Sequence, residues 1–353
     1  MSIVSPMYIF VVCDDNSTIT INGALVNQTM NQGPWNNFQY FYISNVTEND
    51  KITINCTNTC APGGLSVSYI WNKCLYTLPN NGMEGIANII NYQVSGNTGW
   101  SNIWIPYVKN LLPWMQNYIT MQYTGCDGSS STYMTVSFNI GSTANIPFSK
   151  NLWCYVGIDI AGTVYLNGST VYNVTQAWYQ MAQFTVPNVN YGDTLLLACQ
   201  NQGASGAVSL TYIYQGIIST LPSSLPGFNS VVNNLVYTSY GLVNGVYPAQ
   251  TGNNLMFNVN GNNMNWLNSC YGNCNFGIST NIVGSISPSI PLLPGLNYIN
   301  FAETNESFSN MITYDEEKHV KNISIYIIVI VIVVIVILIY FFLSKLKSKK
   351  VKI

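Results

Sequence analysis

The chain has no arginine, and His319 is its only histidine. Only 7% of its 353 residues are charged. Each shortage removes a class of chemistry. The few acids lie almost wholly before residue 318 and the lysines are concentrated after it. The N-terminal region is therefore acidic and unsuited to nucleic acid. One histidine beside the C-terminal apolar run leaves no Ser-His or Cys-His pair for the rest of the chain. Glu84, Asp127, Asp159 and Asp193 form no paired-carboxylate motif of a glycosidase. There is no phosphate loop and no dinucleotide fingerprint. The expectation is a protein that is not an enzyme. The N-terminus, MSIVSPMYIFVVCDDN, lacks a basic leader and reads as a strand rather than a signal peptide.

Residues 323–343 read ISIYIIVIVIVVIVILIYFFL, without a charge. At about 1.5 Å of rise per residue, such a helix spans roughly 30 Å, the thickness of a bilayer core. Tyr326 and Tyr340 stand near its ends, where interfacial aromatics belong. Lys345, Lys347, Lys349, Lys350 and Lys352 follow it, whereas Asp315, Glu316 and Glu317 offset Lys318 and Lys321 before it. This bias predicts a single-pass protein with a basic tail facing cytoplasm or virion interior, against anionic lipid. The large region then faces outward. Insertion without a leader would leave that region in the cytosol. A virion membrane assembled in the cytoplasm reconciles the two, since its outer face is the cytosolic face. The lack of arginine, with abundant Asn, Ile and Tyr, suggests an AT-rich genome, such as that of a large DNA virus or of certain protists.

Asn-x-Ser/Thr triplets occur at Asn16, Asn27, Asn45, Asn55, Asn167, Asn173, Asn305 and Asn322. A chain this rich in Asn, Ser and Thr reaches that number by chance, so by themselves they are neutral. The nine cysteines are an odd set, leaving at least one unpaired within the chain. Cys56-x3-Cys60 and Cys270-x3-Cys274 lack histidine partners, which favours disulfides over zinc.

The chain repeats itself. SNVTENDKITINCTNTCAPGGLSVSYIWNKCLYTLP (44–79) aligns without a gap on PNVNYGDTLLLACQNQGASGAVSLTYIYQGIISTLP (187–222). Asp50 matches Asp193, Cys56 matches Cys199, Asn58 matches Asn201 and Tyr69 matches Tyr212. Upstream, Trp35 matches Trp178, and with a two-residue shift Asp14 matches Asp159 and Asn22-Gly23 matches Asn167-Gly168. KITINC alternates as a half-buried strand does, and each Asn-Gly lies between two strand-like runs, the usual hairpin signal. The seam is placed after each Leu-Pro. The expected boundaries are a first, incomplete or permuted sandwich over 1–84, a second module over 85–225, and a third β segment over 226–312. The third segment either completes the first module or stands as a diverged unit. A linker over 313–322, the span over 323–343 and the tail over 344–353 follow.

The order Asp, strand, Asn-Gly, Trp, then a strand from Gly-Asp to Asn and a small-Gly-apolar turn resembles galactose-binding-domain-like jelly rolls. Here those residues are Asp159, Asn167-Gly168, Trp178, Gly192-Asp193, Asn201 and Ser205-Gly206-Ala207. The resemblance implies an all-β chain of tandem jelly-roll-like sandwiches ahead of one transmembrane α-helix. It also implies glycan binding through loops, sometimes with a structural calcium. The candidate ligand residues are Asp14, Asp15, Trp35, Asp159 and Trp178. Asp14 and Asp15 are the candidate calcium pair, with turn capping as the competing role. The tryptophans either stack on sugar or pack in the core. The functional expectation is surface recognition or adhesion, with glycans as ligand. Its rival is an assembly protein contacting capsid or sister chains.

Overall fold

The computed structural model describes residues 2–27, 39–59, 63–79, 82–99, 112–115, 117–122, 131–144, 148–158, 161–175, 182–201, 205–222, 227–241, 267–271 and 273–284. The predicted span at 323–343 lies outside them. Among the described residues no helix is long and apolar enough to cross a membrane.

The fold is all-β. The first ten strands are β1 (Val4–Cys13), β2 (Asn16–Ile21), β3 (Ala24–Asn27), β4 (Gln39–Thr47), β5 (Lys51–Asn58), β6 (Gly64–Trp71), β7 (Cys74–Thr77), β8 (Asn88–Gly96), β9 (Ile119–Thr120) and β10 (Thr132–Thr143). The next seven are β11 (Leu152–Ile158), β12 (Ala161–Leu166), β13 (Ser169–Val174), β14 (Ala182–Val186), β15 (Thr194–Asn201), β16 (Ser205–Tyr214) and β17 (Ile217–Thr220). A single helical turn, α1 (Phe228–Val231), precedes β18 (Asn233–Asn234), β19 (Tyr237–Tyr240), β20 (Leu267–Tyr271) and β21 (Cys274–Asn281).

The strands sort into two lobes of the same design. In lobe 1, β4-β1-β6 form one layer, with β7 and β9 sharing the far side of β6. The facing layer runs β8-β10-β5-β2-β3. Lobe 2 repeats this with β14-β11-β16, flanked by β17 and β20, opposite β13-β12-β15-β21-β19. Each pair of layers encloses its own core. In lobe 1 Ile9, Val67 and Tyr69 meet Ile54, Val136 and Phe138; in lobe 2 Val156, Leu210 and Tyr212 meet Leu197, Phe276 and Ile278.

The pairings place the seam elsewhere than the Leu-Pro signal suggested. β8 and β10 ladder onto β7 and β5, so the described strands of 85–144 belong with the first copy. The described strands of 226–312 ladder onto β15, β16 and β17, so they complete the second copy and not the first. Each Leu-Pro follows the short strand at the middle of a copy, where proline stops a ladder without ending a domain.

A third core joins the lobes. β7 and β17 pair antiparallel with Cys74 opposite Ile217, equivalent positions of the two copies. The bonds beside that pair are mates: Leu75 N–H donates to Gly216 C=O at 2.8 Å, and Ile218 N–H to Lys73 C=O at 3.1 Å. The layers therefore fuse into one sheet, β4-β1-β6-β7-β17-β16-β11-β14, about a local two-fold axis. Each lobe also lends its connector to the other. Phe228 of α1 meets Tyr8 of β1 edge-on at 5.5 Å, while Ser149, just before β11, bonds Gly85 C=O through its N–H at 2.9 Å. This explains why β1 reads as a near-continuous apolar run. Met7, Ile9 and Val11 face the lobe core, while Tyr8, Phe10 and Val12 face the shared one.

Candidate functional site

The repeated polar residues hold turns. Asn22 and Gly23 lie at φ +50° and +80°, and Asn167 and Gly168 at +49° and +80°, the left-handed pair of a tight hairpin. Asn22 Nδ2 donates to Asp50 Oδ1 at 2.8 Å, while its Oδ1 accepts from Lys51 N–H at 2.9 Å. Asp50 Oδ2 accepts from Thr47 N–H at 2.7 Å. In lobe 2, Asn167 Nδ2 donates to Asp193 Oδ1 at 2.9 Å, its Oδ1 accepts from Thr194 N–H at 2.9 Å, and Asp193 Oδ2 accepts from Asn190 N–H at 2.7 Å. The Asn167 amide, with the Asn190 N–H, holds the Asp193 carboxyl below the usual range. Tyr69 and Tyr212 are a second matched device. Their buried hydroxyls accept from Gly141 N–H at 3.2 Å and Val283 N–H at 3.0 Å, tying down the ends of β10 and β21. Residues kept in both copies thus account for architecture, and a site is to be sought where the copies differ.

The clearest difference is the rim of lobe 1 where β1 passes to β2. Asp14 is 7% exposed, and its Oδ1 accepts from the N–H of its neighbour Asp15 at 3.0 Å. Desolvation, then the adjacent Asp15 charge, push its pKa up to about 7. Asp15 adopts φ +60°, and its Oδ2 accepts from both Thr59 N–H and Thr59 Oγ1–H, pinning the end of β5. The residue after Asp159 is isoleucine, so lobe 2 has no second acid.

Across the same rim the register runs Asn16, Thr57, Tyr133 over β2, β5 and β10. Adjacent strands lie about 4.8 Å apart, so this row is about 10 Å wide. Tyr133 is 61% exposed. Its N–H donates to Asn97 Oδ1 at 3.3 Å, and Asn97 Nδ2 donates to Gln122 Oε1 at 3.3 Å. Thr132 Oγ1–H closes the cluster on Gln122 C=O at 3.2 Å. Gly96 permits this approach. It sits at φ +97°, and a Cβ there would lie 2.4 Å from Tyr133 C=O. In lobe 2 the position of Tyr133 is Asn275, facing Gln200 rather than a threonine.

Of the expected ligand residues, the structure places Asp14 and Asp15 together at this rim. Trp35, Asp159 and Trp178 lie outside the described residues. Tyr133, Asn97 and Gln122 had no motif to announce them, since only pairing across strands far apart in sequence gathers them. Among the described residues no three His, Cys, Asp or Glu side chains converge to hold a metal. The cysteines correct an expectation for the five at Cys13, Cys56, Cys74, Cys154 and Cys199, all of them free thiols. Cys13 and Cys56 are buried in the core of lobe 1, and Cys154 and Cys199 in that of lobe 2, where they serve as small apolar residues.

No family model, curated protein or solved structure matches this chain.

Proposed function

We propose that the chain is a membrane-anchored surface protein for recognition or adhesion, without catalytic activity. Its two lobes are read as tandem jelly-roll sandwiches of the galactose-binding kind, and its lobe 1 rim as the place where a glycan docks. The observation that carries this reading is Tyr133, an exposed ring fixed through its backbone by Asn97. Such a ring offers a stacking face, while the Gln122 amide, the Asp15 carboxylate and the Thr57 hydroxyl supply the directional bonds sugar hydroxyls need. Asp14 and Asp15 are also where calcium would enter, with backbone carbonyls completing its oxygens. The anchor is the apolar run at 323–343, and the large region is read as facing outward from a cell or virion membrane.

The test is glycan-array binding by a folded fragment of residues 1–315, with calcium and with chelator, beside the variant Tyr133→Ala. Saturable binding to one sugar class, lost in the variant, supports the reading. Binding that ignores the variant moves the site elsewhere, and no binding by the folded fragment rejects the glycan.

One observation favours the second reading, a protein of particle assembly. The outer face of β2, β5 and β10 carries Thr18 beside Asn55 and Thr135, and Thr20 beside Thr53 and Ser137. A hydroxyl- and amide-rich face of this kind, with Lys51 its one charge on β5, suits contact with capsid or sister chains. Under this reading the fragment binds no sugar and co-sediments with such a partner.

A further inference from the structure

An all-β chain with so few charges has exposed sheet edges to protect. Edge strands present unpaired N–H and C=O groups to any passing strand, and proteins usually blunt them with charge, proline, bulges or a cover. Among the described residues, β4 is one edge of the fused sheet, and β13 is an edge of the second layer of lobe 2. Their sequences, QYFYISNVT and STVYNV, contain neither a charged residue nor a proline.

Both edges carry the same triplet, Asn45-Val46-Thr47 and Asn173-Val174-Thr175. In each the valine is buried in its lobe core, at 0% and 1% exposure, so strand alternation turns the asparagine outward. Both asparagines are exposed. Asn45 lies in an irregularity of the ladder, where Val46 pairs with Ser5 but Ile43 pairs with Met7. Asn173 accepts at Oδ1 from Thr163 Oγ1–H at 3.1 Å, a bond that does not use its Nδ2.

The other triplets in the described lobes are placed differently. Asn167 has both amide atoms committed to the hairpin clamp. Asn16 and Asn55 stand on β2 and β5, inside a sheet. The side chain of Asn27, on β3, lies outside the described residues. The geometry thus separates two triplets from a set that composition alone leaves neutral.

We propose that Asn45 and Asn173 are N-glycosylation sites, and that their sugars cap the edges β4 and β13. In the transfer, Nδ2 of each asparagine attacks the anomeric carbon of a lipid-diphosphate-linked oligosaccharide. A C–N bond forms, the anomeric C–O bond to diphosphate breaks, and the lipid diphosphate leaves. The amide proton passes to a base of the transferase, and nothing is oxidised or reduced. The modification also decides topology, because the transferase works only on the lumenal face: it requires the large region to be translocated, against the cytosolic placement that insertion without a leader would give.

The test is expression of the full-length chain in a eukaryotic cell, with gel mobility read before and after peptide-N-glycosidase digestion. Asn45→Gln and Asn173→Gln are exposed changes that leave both cores intact. Each is expected to remove one step of the shift, and the double variant to remove both. Ser169→Ala deletes the triplet at Asn167 without touching its clamp and is expected to change nothing. No shift on digestion overturns the proposal, whether the region stays cytosolic or the sites go unused. A shift undiminished in the double variant overturns it too, and a single variant without effect overturns the assignment of its site.

Discussion

Asp14 is the residue whose environment departs furthest from water without repayment. Its carboxyl is buried, carries one neighbouring N–H bond, and sits beside a second acid. Its folded pKa of about 7 lies above the ordinary 3.8. Below the ordinary value both states are protonated and folding bears no cost. Between about 4 and 7 the unfolded chain ionises first, so stability falls as pH rises, and above about 7 the penalty is constant. Asp14→Asn keeps the oxygen that accepts from Asp15 and removes the charge. Allowing for solvent screening, it is expected to stabilise the fold by about 1–2 kcal/mol at pH 8. The same variant is expected to be neutral at pH 4, as read by thermal melts at the two values. An equal gain at both would exclude ionisation as its cause. The Asn167–Asp193 clamp works in the opposite sense. A carboxyl held below its usual range contributes stability that is present above its unfolded pKa and lost as pH falls through the folded value. Asn167→Ala is expected to cost about 1–2 kcal/mol at neutral pH and less in acid, measured by urea titration. These residues show what was legible at this scale. The Asn-Gly turns and their partner acids stood out in the repeat and are turn locks. Tyr133, Asn97 and Gln122 did not, because an exposed residue set by cross-strand register leaves no spacing to read.

At the scale of elements, alternation was the reliable signal. β5 buries Ile52, Ile54 and Cys56 and turns Lys51 and Asn55 outward, as KITINC implied. The second half of each copy was illegible for a physical reason. β10 and β21 fill equivalent places, paired to β5 and β15, and keep Ser137 as Ser279 and Asn139 as Asn281, but otherwise share little beyond an apolar pattern. A core position asks for volume and apolarity rather than identity, so sequence drifts where topology does not. The corner strand diverged further still: β8 crosses unbroken from β7 to β10, whereas lobe 2 divides that path into β18 and β19. Trp114 shows how lobe 1 closes the polar stripe on β6 and β7. It is fully buried, donates from Nε1 to Ser68 Oγ at 3.1 Å, and accepts at its C=O from Thr77 Oγ1–H at 2.9 Å. Trp114→Phe preserves most of the volume but strands the Ser68 hydroxyl. It is expected to cost about 1–3 kcal/mol, and Trp114→Ala about 3–5 kcal/mol. Chemical denaturation of both variants checks the order, and a negligible loss in Trp114→Phe would mean that the indole bond contributes nothing.

The two described lobes form an internal dimer, and their exchanged connectors make them interdependent. Met83, Ile86 and Ala87 of lobe 1 and Phe228, Val231 and Val232 of lobe 2 occupy equivalent places in the shared core. A mere tether between independent sandwiches would need no such core and no ladder between β7 and β17. The repeat announced two copies but not their union, since the residues that join them read in sequence as ordinary core. Interdependence has a measurable consequence. Phe228 belongs by sequence to lobe 2 but packs against Tyr8 of lobe 1. Phe228→Ala is expected to lower stability by about 3–5 kcal/mol. The loss should be the same whether unfolding is followed at lobe 1 or lobe 2, with one calorimetric transition in both parent and variant. Hydrogen exchange of β5 and β15 supplies the lobe-specific readout, since both strands lie in lobe cores away from the shared one. Parallel loss of protection in the two strands is the signature of one cooperative unit. Loss confined to β5, or a second transition, would mean that the lobes fold separately and that the fused sheet is only a contact between them.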